Sequence, residues 1–111
     1  MKKSDIRIDV KLDENHVPEN ISWSASDSPE HQNQPCKAVF ANFWDPNSKS
    51  TMRVDLWTKD MTVEEMKHFF VQSMLSMADT FDSATGEKEH AEALRKFSKA
   101  FGEKLKVLKA S

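Results

Sequence analysis

Residues 52–66, MRVDLWTKDMTVEEM, contain a change of hydrophobic period. Met52, Val54 and Leu56 alternate with Arg53 and Asp55, the period of two that a β-strand shows. From Thr62 onward the pattern is that of a helix start. Thr62 stands at the N-cap, Glu65 three residues later completes a capping box, and Met61 is spaced to staple against Met66. A sheet therefore ends, and helical structure begins, within this stretch. Strands grouped before such a boundary and helices grouped after it define the α+β class.

Toward the N-terminus, Cys36 to Trp44 and Met52 to Trp57 carry apolar residues at both parities, with a turn at Asp45-Pro46-Asn47-Ser48. Proline suits the second position of a type I turn. Pairing Trp44 with Thr51 sets Val39, Ala41 and Phe43 opposite Leu56, Val54 and Met52 on one inner face, whereas a slip of one residue scatters them. Phe40, Asn42 and Trp44 then share the outer face with Arg53, Asp55 and Trp57. The polar segment Asp27 to Pro35 is expected to be an exposed connection. Before it, Ile6, Ile8, Val10 and Leu12 alternate with charged residues, and Ile21, Trp23 and Ala25 alternate with serines. A turn around Pro18 makes these a first hairpin, with Leu12 expected opposite Ile21, Val10 opposite Trp23 and Ile8 opposite Ala25.

Toward the C-terminus, Val63, Met66, Phe70, Met74, Met77 and Phe81, widened by Phe69, follow 3.6-residue spacing until Gly86 offers a stop. A second helix is predicted from about Glu87 to Val107, with Ala91, Leu94, Phe97, Phe101, Leu105 and Leu108 as its stripe and Glu92 paired to Lys96. Its early glutamates and late lysines suit the helix dipole. The predicted architecture is a four-stranded antiparallel sheet of two hairpins, followed by a C-terminal helical hairpin packed on one face. All 111 residues form one domain, with 1–58 as the sheet part and 59–111 as the helical part.

With 38% hydrophobic residues, among them 7 Phe, 3 Trp and 6 Met, a chain of this size buries roughly 65% of its unfolded surface and folds without disulfides. One cysteine, Cys36, permits no intramolecular disulfide. The start Met-Lys-Lys-Ser-Asp-Ile leads into alternation, not an apolar h-region, and no run of 18 apolar residues follows, so a cytoplasmic chain without membrane insertion is expected. A net charge of -2 removes the usual electrostatic basis for nucleic-acid binding.

Catalytic signatures are weak. Glu65 with His68 and Glu87 with His90 repeat the Glu-x-x-His spacing of di-iron bundles, but both fall at helix starts beside the apolar stripes, where solvated residues are ordinary. No paired-cysteine or His-x-x-x-His spacing supports zinc. Cys36 follows Pro35 at a strand edge and reads as a small part of the packing. With 2 Gly in the chain there is no phosphate-cradling loop, and no Gly-x-Ser-x-Gly turn exists. Neither catalytic residues, nor a metal, nor a cofactor is expected. The outer sheet face is another matter. Phe40, Trp44 and Trp57 each carry roughly 150–250 Å² of buriable surface, which together rivals the largest patch of a typical monomer. Arg53 and Asp55 beside the rings complete a candidate protein-binding face, since Trp and Arg are favoured hot-spot residues. A protein partner, the chain's own loop or helix, and a homodimer contact are the alternative covers.

Three blocks also resemble a known family: LDENHVPE (12–19) leading into ISWSA (21–25), DLWTKDM (55–61) and SMADTF (76–81). They are similar to the gliding-motility protein GldC family of Bacteroidota, and the resemblance covers nearly the whole chain. It implies a small soluble accessory protein of the gliding machinery, an apparatus linked in these bacteria to type IX secretion, with no enzyme activity and no functional residue to carry over. A non-catalytic interaction module is the first expectation. A chaperone-like helper for export, binding varied clients through Met-rich and aromatic surfaces, is the alternative.

Overall fold

A computed structural model describes residues 2–109. The elements run β1 (Ile6–Leu12), β2 (Pro18–Ala25), β3 (Gln34–Cys36), β4 (Ala38–Asp45), β5 (Ser50–Trp57), α1 (Val63–Thr85) and α2 (Lys88–Lys104). They divide into two compact units with the boundary between Met61 and Thr62, strands in the first and helices in the second.

The strands form two antiparallel sheets, β1-β2-β3 and β4-β5, in place of the expected single sheet of four strands. The division lies at Lys37. What reads as one strand from Cys36 to Trp44 is interrupted there, so that Cys36 pairs with Ile21 of β2 while Ala38 pairs with Trp57 of β5. The Lys37 carbonyl accepts from the Thr58 N–H at 2.8 Å, and the Pro18 carbonyl accepts from the Lys59 N–H at 3.0 Å, joining the end of β5 to the start of β2. The short β3 also takes in Gln34 and Pro35, which the polar composition assigned to an exposed connection. Backbone groups enter a ladder whatever side chains they carry, so a strand with no apolar alternation leaves no periodic signal.

The first hairpin has the expected parity but a register displaced by two residues, with Ile8 opposite Trp23 and Val10 opposite Ile21. Asp13 sets that register. Its carboxylate accepts from the backbone N–H groups of Asn15 (2.8 Å) and Val17 (3.0 Å), and its own N–H donates to the Val17 carbonyl at 2.9 Å. With His16 at a φ of 62°, the turn closes early and β2 begins at Pro18 instead of Ile21. Hydrogen bonds from Val17 and Lys59 hold the Asp13 carboxyl below the usual carboxylate range. The second hairpin has the expected register throughout: Val39, Ala41, Phe43 and Trp44 face Leu56, Val54, Met52 and Thr51. Its turn is held by Asp45, whose carboxylate accepts from the Asn47 N–H at 2.9 Å.

In the second unit the capping box at Thr62 and Glu65 forms as the sequence predicts, each side chain accepting from the other residue's backbone N–H at 3.0 Å. Gly86 ends α1 in the left-handed conformation at φ 72°. Replacing Thr62 by Ala is expected to cost about 1 kcal/mol, read as a lower midpoint of the far-ultraviolet helix signal, because the Glu65 N–H loses its side-chain acceptor. The helix α2 stops at Lys104, short of the predicted Val107. There Lys106 takes a φ of 62°, and the N–H groups of Val107 and Leu108 both return to the Gly102 carbonyl.

The residues buried on the two helices are small or slim: Val71 and Ala78 on α1, and Ala91, Ser98 and Gly102 on α2. Small side chains let two helices approach closely. At Gly102 an added Cβ would lie 3.0 Å from Val71 Cγ1. Ser98 spends its hydroxyl on the Leu94 carbonyl of its own helix at 2.8 Å, so its burial strands no polar group. Arg95 clamps the pair from the side, donating to Asp79 at 2.9 Å and to Asp82 at 3.4 Å. It also meets Glu92 at 3.4 Å, the glutamate predicted to pair with Lys96.

Candidate functional site

The outer face of the β4-β5 hairpin follows directly from its register. Successive cross-strand pairs are Ala38 with Trp57, Phe40 with Asp55, Asn42 with Arg53 and Trp44 with Thr51. Alternation along each strand then puts Phe40, Trp44, Arg53, Asp55 and Trp57 on one side. They form a stripe, not a cluster. Trp44 and Trp57 sit six residues apart along the ladder, roughly 20 Å.

Between the two indoles lies a fixed polar group. Arg53 donates to both carboxylate oxygens of Asp55, at 3.0 and 3.2 Å, and its guanidinium stands 5.9 Å from the centre of the Phe40 ring. The Arg53 fork is thus oriented by a bidentate partner and rests against a half-buried aromatic ring. Trp44 and Trp57 remain open to solvent, at 65% and 52% exposure. Trp and Arg are residue types enriched among the hot spots of protein interfaces.

At the Trp57 end the stripe continues into the β1-β2 turn and Lys59. His16, Val17, Pro18, Asp55, Leu56, Trp57 and Lys59 line a hollow of about 260 Å³. The β1-β2 turn is brought there by the hydrogen bond from Lys59 to the Pro18 carbonyl. No local pattern announces that contact, which joins segments some forty residues apart.

The opposite face of the hairpin departs from expectation. Its parity is as read, but Phe43, Met52 and Val54 are exposed, Phe43 at 58%, while Val39, Ala41 and Leu56 are half-buried. Side chains on a sheet face are buried only where another layer packs on them.

The other chemistry-bearing residues are engaged locally. Glu65 serves the cap of α1, His68 lies 3.8 Å from Glu64, and His90 bonds Glu87 at 2.5 Å. Among the described residues no three His, Cys, Asp or Glu side chains converge as metal ligands. Burial pushes the Cys36 thiol above its ordinary pKa, which disfavours the nucleophilic thiolate. The hollow beside the first turn, lined by Leu12, Asp13, Glu14, Asn15, Glu19 and Lys59, has an ion-pair arrangement in its wall, with Lys59 3.1 Å from Asp13 and 3.4 Å from Glu19. His31 stacks on Trp23 at 4.9 Å and bonds Ser28 at 2.6 Å. Among the described residues no helix is long and apolar enough to cross a membrane.

Comparison with known families settles the kinship. The model of the gliding motility-associated protein GldC-like family matches residues 18–107, most of the chain. The chain belongs to the GldC-like family. All five outer-face residues lie inside the matched segment, as do Asp13's partner Lys59 and the whole of α1 and α2; His16 and Val17 lie outside it. No curated protein and no solved structure matches this GldC-like chain.

Proposed function

We propose that this GldC-like protein is a non-catalytic accessory component of the gliding machinery, working in the cytoplasm as a protein-interaction module. It docks a protein partner through Phe40, Trp44, Arg53, Asp55 and Trp57. Family membership supports the association with gliding motility. The observation that carries the docking surface is the exposure of Trp44 and Trp57 on either side of the oriented Arg53–Asp55 pair. The hollow beside Trp57 suits an apolar side chain of the partner, and the Arg53–Asp55 pair offers polar registration at the centre of the stripe.

The test is a strain carrying Trp44→Ser together with Trp57→Ser. Both indoles are more than half exposed, so the purified variant is expected to keep its circular dichroism spectrum and lose little stability, within about 0.5 kcal/mol for each exposed site. Colony spreading is expected to fall clearly. Normal spreading by a normally folded and normally abundant variant would reject the outer face as the docking surface.

A further inference from the structure

The helical unit has a second exposed apolar face, and its extent indicates what covers it. On α1, Val63, Met66, Phe70, Met74, Met77 and Phe81 recur at steps of three and four residues, and Val63, Phe70 and Met77 stand seven apart. This is the apolar stripe of an amphipathic helix. The residues fully buried on α1 and α2 lie on a neighbouring line and are small, while Met66 and Met74 of the stripe are half-buried. Several large side chains stay exposed: Val63 is 75% exposed, Met77 54%, and Phe97 of α2 62%. Both helices contribute to the face. Phe97 stacks on Phe101 at a centroid distance of 6.3 Å, and Val63, Met66, Lys67, Phe70, Phe101 and Leu105 line an apolar groove of about 300 Å³.

We propose that a second copy of this chain occupies this face, two α1-α2 pairs closing into a four-helix bundle about a twofold axis. A helical occupant fits the face, since the ridges of one helix enter the grooves of another. A pair of helices is needed because the face spans both α1 and α2. A twofold axis sets one patch against the same patch on a copy, which presents that pair with the same spacing. Charge does not oppose it: Lys67 is the one charged residue lining the groove. The area is adequate. The exposed parts of Phe70, Phe81 and Phe97 amount to roughly 200–350 Å². Val63 and Met77 raise this to roughly 400–550 Å² per copy, so a dimer removes about 1,000 Å² of apolar surface, where specific interfaces begin.

The experiment uses the full chain. Light scattering across about two decades of concentration is expected to give twice the chain mass, and the thermal midpoint is expected to rise with concentration, as it does when folding and dimerisation are linked. Met77→Glu and Phe97→Glu are each expected to give monomers, whereas the Trp44→Ser, Trp57→Ser variant stays dimeric. The midpoint of the unaltered protein decides the matter if a Glu variant fails to fold. A chain mass equal to one copy with a midpoint independent of concentration would overturn the proposal. So would a dimer that survives both Glu substitutions, or one abolished by the Trp substitutions, which would move self-association to the hairpin. Docking of a gliding partner on the outer hairpin face stands or falls separately, by colony spreading.

Discussion

Ile21→Ala is expected to lower the stability of the sheet unit by about 3 kcal/mol and its thermal midpoint by about 10–20 °C. Ile21 is 2% exposed and sits in the central strand of the three-stranded sheet, opposite Val10 on one side and Cys36 on the other. It is the one large hydrophobic side chain among the described residues of this unit that is fully buried. Truncation removes its apolar burial and leaves a cavity between two strands that the backbone ladder holds in place, so the site collapses poorly. The readout is convenient, because all 3 Trp of the chain, Trp23, Trp44 and Trp57, lie in the sheet unit. Unfolding followed by tryptophan fluorescence reports that unit directly. A loss below about 1 kcal/mol would mean that Ile21 is not its packing centre.

Gly102→Val is expected to destabilise the helical unit by about 2–3 kcal/mol, read as a lower midpoint of the far-ultraviolet helix signal. Propensity alone gives the opposite sign, since glycine inside a helix is about 1 kcal/mol worse than alanine. Space decides here. A Cβ at this position would stand 2.6 Å from Leu108 Cδ1 and 3.0 Å from Val71 Cγ1. Leu108 lies past the end of α2 and can swing away, but Val71 is 1% exposed and has nowhere to go. The two γ-methyls of valine add overpacking that the pair relieves only by separating. Gly86 makes a useful contrast. Nothing lies within 4 Å of its Cβ position, yet its φ of 72° disfavours any side chain, so Gly86→Ala costs about 1–2 kcal/mol through the backbone alone. Stabilisation by Gly102→Val would show that the two helices are not held at this spacing.

Particular residues show how far the sequence could be read. The Thr62 cap, the Gly86 stop and the β4-β5 register are all present as expected, because each rests on a rule that acts within a few residues or across a single hairpin. The five outer-face residues share one face for the same reason, parity being a local property. The β1-β2 register differs by two residues from the expected one because both satisfy parity; the choice lies with the hydrogen bonds that the Asp13 carboxylate accepts from Asn15 and Val17. The hollow beside Trp57 was illegible, since it depends on the β1-β2 turn meeting the end of β5.

Alternation and spacing therefore determined the α+β class, the order of strands and helices, the caps, and the face on which Trp44 and Trp57 stand. Tertiary structure alone decided that the strand pattern breaks at Lys37 into two sheets. It also decided that the residues buried on α1 and α2 are Val71, Ala78, Ala91, Ser98 and Gly102, while Val63, Met77 and Phe97 are exposed. A hydrophobic stripe states that a helix has something to bury. Which line of the stripe meets the neighbouring helix depends on how closely the two backbones approach, and that distance is set by pairs of side chains from both helices at once.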